Sequence, residues 1–487
     1  MKRLYTLIIS LGVSLVVSAQ QQKAPSSFTL EQCIQYALEN SIRARNAQLD
    51  QRIAKAKVNE TIGIGLPQIS GSASVINNPT LPRFFTTYTG TGGFLGDLSS
   101  VPGLKVGDAV AAKNPFQLPS AGTASMTLNQ LIFNGSYLVG LKAAGTYRDL
   151  AVKTTEQTQQ DIIQGVTKAY YAVLINKERT QLFDANIARV DSLYRNTKAL
   201  NQNGFAESID VDRVKVTLNN LRAERDKFLN LNELGLQLLK FQLNYPQDDP
   251  IIVVGSIQDV QIDPNLDSYK KGWDYRNRPD YKVLEVNQRL QKLNVKNQYA
   301  GAVPVISAFA TLGYSTQSPN VPGIFSTNSQ IKDENGLGPD KWYNFSQVGL
   351  SLSVPLFTGL SRTFRIQQEK LKLVQIDNGF VNLKNSINLE ITTASIGFEN
   401  AITSLAAQKE NQDLAGNVAR VTKIKYGQGV GSSLEVTDAE NSLRQAQTNY
   451  YSALFDAMVA KVDLDKAYGK LLPSTYENNS LINPENK

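Results

Sequence analysis

Two carboxylates stand at matched distances behind glycines, and a third follows one turn on. Asp210 lies six residues after Gly204, and Glu435 lies six residues after Gly429. Asp438 follows three residues later, so Glu435 and Asp438 share a helix face. Carboxylates so placed suit two roles. They offset the positive end of a helix dipole, or, when symmetry multiplies them at a constriction, they attract and select cations. Pattern alone leaves both open.

The rest of the chemical inventory is spare. Histidine is absent, which removes the usual general base, the commonest zinc ligand and the physiological-pH switch. Met1, Met126 and Met458 are the only methionines, too few for a thioether metal relay. Cys33 is the only cysteine; it forms no intrachain disulfide and reads as a small packing residue. Neither a G-x-S-x-G nucleophile elbow nor a phosphate-binding G-x-x-x-x-G-K-[ST] loop occurs. No enzyme, cofactor or metal site is expected. The net charge of +7 is spread over 487 residues without a dense basic block, so nucleic-acid binding is not expected.

The elements that carry these carboxylates come in two copies. Asn40 to Val58 recurs as Asn277 to Val295, with Gln51-Arg52 falling on Gln288-Arg289. Leu66-Pro67-Gln68-Ile69-Ser70 meets Val303-Pro304-Val305-Ile306-Ser307, and Leu131 to Gly135 meets Pro355 to Gly359. Gly204 to Val211 meets Gly429 to Val436. Ordered matches of this kind mark a duplication, with repeat 1 over 20–260 and repeat 2 over 261–487. Each repeat reads as helix, strand, long loop, strand, very long helix, turn and long helix.

Strict alternation predicts strands at about 67–77, 121–132, 304–314 and 345–355. Ile69, Gly71, Ala73 and Val75 alternate with polar neighbours, as do Val348, Leu350, Leu352 and Val354. Each run has the length of a tilted membrane strand, with one face for lipid and one for water. Four strands do not close a barrel, so several copies must contribute. Long helices are expected at about 137–202, 209–243, 361–426 and 433–472, with another at about 279–301. Val211, Val214, Leu218, Leu221 and Phe228 take heptad spacing, as do Leu231, Leu234, Leu238 and Phe241. Their many Gln and Asn residues fit either a solvated coiled-coil face or a water-filled duct. At the start of the chain, Lys2, Arg3, an apolar run from Leu7 to Val17 and Val17-Ser18-Ala19 predict a signal peptide over 1–19.

Phe28 to Asn40 (FTLEQCIQYALEN) resembles the opening helix of the TolC-like outer-membrane efflux family. Leu66-Pro67-Gln68-Ile69, Leu356-Phe357-Thr358-Gly359 and Tyr426-Gly427-Gln428-Gly429 leading to Leu434-Glu435-Val436 carry the same resemblance. It implies an α+β membrane protein of the outer membrane that extends into the periplasm. Three protomers would each give four strands to one shared twelve-stranded barrel, and long helical hairpins to a periplasmic α-barrel. It implies passive export of drugs, small molecules or proteins, with a periplasmic adaptor and an inner-membrane pump of RND or ABC type. It further implies that Asp210, Glu435 and Asp438 ring a periplasmic aperture, that Tyr426 tethers the aperture closed through Asp210, and that the turns at Gly204, Gly429 and Gly431 dock the adaptor. Gly431 stands where the family's type member has an arginine completing the latch. A structural periplasmic coiled coil or adhesin is the alternative reading.

Overall fold

The computed structural model describes residues 27–90, 101–112, 114, 116–257, 262–326 and 342–471. The expected signal at 1–19 and the tail beyond 471 lie outside the described residues. In chain order the main elements are α1 (Leu30–Asn40), α2 (Ile42–Ile64), β1 (Gln68–Asn77), β2 (Ser120–Phe133), α3 (Gly135–Gln202) and α4 (Ser208–Leu243). They continue with α5 (Pro279–Ala300), β3 (Val305–Ser318), β4 (Tyr343–Ser353), α6 (Ser361–Gly427) and α7 (Ser433–Ala467). Two compact units emerge, and neither is one repeat. The first comprises 1–53, 148–288 and 375–487; the second comprises 54–147 and 289–374.

The second unit holds a four-stranded antiparallel sheet in the order β1-β2-β3-β4. Register makes its two faces unlike. Ile69 lies beside Leu128, Leu128 beside Ala310, and Ala310 beside Val348. On the opposite face Ser70, Thr127, Thr311 and Gln347 form the neighbouring row. Hydroxyls there bridge strands, with Ser72 to Ser125 and Thr127 to Thr311 both at 3.1 Å. The apolar face is uncovered among the described residues: Val348 is 81% exposed, Leu350 76% and Ile69 68%. The β3 strand runs four residues past the expected end because β2 offers partners as far as Ser120, opposite Ser318. β4 stops at Ser353, two residues before Pro355, which has no N–H for a ladder. Two aromatic rings cover cross-strand glycines on the polar face, Phe309 over Gly349 and Phe345 over Gly313.

The first unit is helical. α1 begins with a capping box: Gln32 N–H donates to Thr29 Oγ1 at 3.4 Å, and Thr29 N–H donates to Gln32 Oε1 at 2.9 Å. Its inner face joins Phe28, Cys33, Ala37 and Leu38 to Ile162, Val166, Leu239 and Leu243 in one apolar core. The short strand Ser27–Phe28 pairs in parallel with Ile252–Val253 and ties the start of this core to the segment after α4. Along α3 the buried residues Phe183, Asn186, Val190, Leu193 and Thr197 recur every three and four positions, the spacing of a coiled-coil seam.

One expected seam faces the other way. Val214, Leu218, Leu221 and Phe228 are buried as their spacing implies, but Leu234, Leu238 and Phe241 are exposed, while Gly235, Leu239 and Leu243 are buried. The reason is Gly235. A Cβ there would sit 3.2 Å from Val173 Cγ2, so the bare backbone lets α4 turn that side to α3. α7 ends at Ala467, five residues before the expected 472, because Gly469 takes φ +69°. Its N–H donates to Lys466 C=O and that of Lys470 to Asp465 C=O, a Schellman stop.

Cys33 is fully buried, and burial pushes its thiol up to about 12. The native protein is therefore expected to resist maleimide at pH 8 and to label at one site after denaturation. Labelling of the native form by mass spectrometry at the rate of a free thiol would contradict this packing.

Candidate functional site

Two helix-to-helix turns carry the carboxylates, and both are built alike. In the first, Gly204 has φ +76°, its N–H donates to Asn201 C=O at 3.0 Å, and Phe205 N–H donates to Leu200 C=O at 2.9 Å. In the second, Gly429 has φ +78°, its N–H donates to Tyr426 C=O at 3.0 Å, and Val430 N–H donates to Lys425 C=O at 3.0 Å. Both are Schellman motifs, with the left-handed position held by glycine because positive φ strains the backbone of a residue that carries a Cβ. The residue after each glycine is apolar and points to solvent: Phe205 is 80% exposed and Val430 75%.

Asp210 and Glu435 both fall at the third residue of their helices, α4 and α7, where the dipole favours negative charge. Glu435 N–H donates to Oγ of Ser432, the N-cap. Glu435 and Asp438 are exposed and form no ion pair among the described residues. Asp210 is partly buried and accepts from Arg213, one turn along its own helix, at 3.1 Å.

The expected Tyr426–Asp210 tether is not made within the protomer. The Tyr426 ring packs against the apolar cluster that includes Leu193, Val214 and Val436, and its hydroxyl lies 3.4 Å from Thr197 Oγ1, a fully buried group on α3. Arg213 holds the Asp210 carboxylate instead. Gly431 also has a steric reason to be glycine. A Cβ there would lie 3.1 Å from Tyr426 N and 3.3 Å from the Lys425 carbonyl carbon, both rigid backbone atoms. A side chain at Gly431 would therefore crowd the end of α6, which would have to give by a few tenths of an ångström.

The structure adds polar partners that spacing did not single out. Arg189 on α3 reaches Glu440 on α7 at 3.5 Å and also donates to Asn186. Asn186 donates to Gln447 at 3.0 Å, and Arg179 to Ser452 at 2.7 Å. Lys168 pairs with Asp463 at 2.5 Å, and Lys466 with Asp161 at 2.8 Å. These contacts form a ladder between antiparallel α3 and α7. A signal was present in the sequence: Glu440 lies between Val436 and Leu443 at helical spacing, a charge on an apolar stripe. The Glu224–Arg444 pair at 2.9 Å joins α4 to α7 in the same way. A cavity of about 660 Å³ opens between the turns, and Asp210, Tyr426, Gly429, Gly431, Arg189 and Glu440 all contribute to its wall.

A sheet with an exposed apolar face, carried by a chain whose helices pair into long hairpins, defines an outer-membrane channel subunit. The sequence profile of the outer membrane efflux protein family matches residues 108–230 and 275–470, and the chain belongs to that family. It is 21% identical over 351 residues to outer membrane protein TolC of Vibrio cholerae, covering 72% of this chain and 77% of TolC. It is 23% identical over 328 residues to the solvent efflux pump outer membrane protein SrpC of Pseudomonas putida, covering 65% of this chain and 64% of that protein. The fold matches the crystal structure of outer membrane protein VceC of Vibrio cholerae with a TM-score of 0.66 at 14% identity, over 90% of this chain and 96% of VceC. The protein is thus an efflux exit duct of the outer membrane, and the structural coiled-coil or adhesin alternative falls away.

Replacing Gly429 by Val is expected to cost about 1–2 kcal/mol, because the left-handed position crowds a Cβ. Backbone amides of 425–432 should then exchange several-fold faster with deuterium, with α1 unaffected. Equal exchange in wild type and variant would show that the turn tolerates the side chain.

Proposed function

We propose that three copies of this chain assemble into one passive duct. Each gives four strands to a twelve-stranded barrel and its long helices to a periplasmic tunnel. The carrying observation is the sheet of the second unit: an apolar face that no described residue covers, bounded by β1 and β4, each with one edge unpaired among the described residues. Lipid accepts an apolar face but not open edges, whose N–H and C=O groups have no water to bond. Pairing β1 of one copy with β4 of the next satisfies both.

The helices support the same reading. On α6, Phe364, Leu371, Leu389, Ile396 and Val421 are all exposed, with 364 and 371, and 389 and 396, seven residues apart, and Leu234, Leu238 and Phe241 of α4 are exposed too. Apolar stripes of this period fit helices of another subunit. We assign Asp210, Glu435 and Asp438 to the acidic lining of the periplasmic aperture, and the Tyr426–Thr197 contact to holding it narrow. The turns at Gly204, Gly429 and Gly431, with exposed Phe205 and Val430 beside them, are the proposed docking points of a periplasmic adaptor. Through that adaptor an inner-membrane pump of RND or ABC type would supply energy. The relatives named for solvent efflux favour small molecules as cargo, with protein secretion as the second possibility.

Purification from outer membranes should yield a heat-modifiable complex of three times the chain mass that conducts ions in planar bilayers. A monomer without conductance would refute the assembly. Val348→Lys, placing a charge at an exposed apolar position, should cost about 2–4 kcal/mol if it sits at the bilayer midplane, and sharply reduce trimer recovered from membranes. Tyr426→Phe removes the hydroxyl contact with Thr197 and should raise single-channel conductance. Unchanged conductance in a correctly assembled variant would remove Tyr426 from the gate.

A further inference from the structure

We infer that the seam between neighbouring copies repeats, residue for residue, the joint that β2 and β3 make within one chain. Ser351 on β4 of one copy then stands opposite Ser74 on β1 of the next, and Ser353 opposite Ser72. The inference rests on the three-copy barrel proposed above and fixes the register in which that barrel closes.

The duplication is exact in the sheet. By the sequence correspondence, Gln68 and Ser70 of β1 answer to Val305 and Ser307 of β3, and Thr127 and Asn129 of β2 answer to Ser351 and Ser353 of β4. Ser70 pairs with Thr127, and Ser307 pairs with Ser351. Gln68 pairs with Asn129, and Val305 pairs with Ser353. The hairpins β1–β2 and β3–β4 are therefore one unit used twice in one register. The chain contains one joint between such units, where Leu131 meets Ser307, Asn129 meets Phe309 and Thr127 meets Thr311. The strands equivalent to that joint and left over at the edges are β4 and β1.

A closed barrel ties strand tilt to the stagger between neighbours. Identical hairpins joined by a single register stagger evenly, whereas a different seam would change the stagger at every second joint. Carrying the β2–β3 joint over to the seam sets Ser351 against Ser74, Leu352 against Ala73 and Leu350 against Val75. Hydroxyls meet hydroxyls on the polar face, and aliphatic side chains meet on the apolar one. A slip of one residue would reverse the faces and is excluded on that ground. A slip of two keeps the faces, so a further observation has to choose.

That observation is Ile76. The polar face of β1 carries Gln68, Ser70, Ser72 and Ser74, and then Ile76, which is 54% exposed. The inferred register sets Ile76 beside Gly349 of the neighbouring copy. The Phe309 ring lies over Gly349, 2.7 Å from where a Cβ would stand, so the bare glycine lets the ring reach across β4. Phe309 would thus cover the Ile76 that its own chain leaves open. Slips of two residues set Ile76 opposite Gln347 or Ser351 instead, where its apolar side chain gains no such partner.

Four exposed serines test the register: Ser72, Ser74, Ser351 and Ser353. Residues directly opposite in an antiparallel pair have Cα atoms about 4.5–5.5 Å apart, within the roughly 4.4–6.8 Å that a disulfide spans. Diagonal neighbours lie about 7–8 Å apart, beyond it. The full-length protein is made with Ser74→Cys and Ser351→Cys, with Ser72→Cys and Ser353→Cys, and in the two mismatched combinations, 72 with 351 and 74 with 353. Buried Cys33 stays in place. After oxidation of the trimer by copper phenanthroline, the matched pairs should give disulfide-linked dimers and trimers on denaturing, non-reducing gels. The mismatched pairs should give several-fold less. Each substitution occurs once in a matched and once in a mismatched variant, so an effect of the substitution on folding does not mimic the result. Stronger linkage in a mismatched pair, equal linkage in all four, or none in variants that are trimeric and conduct, would overturn the register while leaving the barrel standing. A monomeric, non-conducting wild type would overturn the barrel, and the register with it.

Discussion

An apolar sheet face bounded by two unpaired edges constrains everything else in this protein. Each edge residue carries main-chain groups that need partners, and the apolar row of Ile69, Leu128, Ala310 and Val348 needs a medium that is not water. Among the described residues neither need is met. A bilayer would meet the second only if the edges were closed, so on the proposed assembly edge closure and membrane insertion are a single problem. The exposed stripes on α4 and α6 present the same demand in helical form.

The helical unit meets a different constraint. Helices near seventy residues long, such as α3 with 68, cannot be held by one core. They are held by a sequence of local clusters: one around Phe28 and Leu243, one around Phe183 and Phe228, and one around Ile175 and Met458. Between the clusters run polar rungs from α3 to α7, from Lys466–Asp161 to Arg189–Glu440. Partly buried ion pairs contribute little net stability, but a wrong register would leave their charges unpaired. The rungs therefore set the alignment of the hairpins, while the apolar seams set their adhesion. At the turns the contacts thin out, and a cavity, a hydroxyl pair and two glycine stops take over.

Much of this was legible in the residues. Alternation located the four sheet strands to within a few positions, and heptad spacing from Val211 to Phe228 found the buried face of the first half of α4, because both periods follow directly from backbone geometry. The matching turns were legible from Gly204 and Gly429, since few residues other than glycine take positive φ without strain. The small hairpin of Phe84–Thr87 and Ala109–Ala112, inside the long loop after β1, went unnoticed because neither run is long enough to show a period.

Sequence by itself therefore determined the elements, their duplicated order, the unlike faces of each strand and the acidic helix starts, all of which depend on local spacing. Tertiary structure alone decided the partners. It turned α4 about Gly235 so that Leu239 rather than Leu238 is buried, gave Tyr426 to Thr197 and Asp210 to Arg213, and brought Arg189 to Glu440 across more than two hundred residues. Such choices depend on distances between segments remote in the chain. A helical period names a face, but which neighbour that face meets is set by the packing of the whole helical unit.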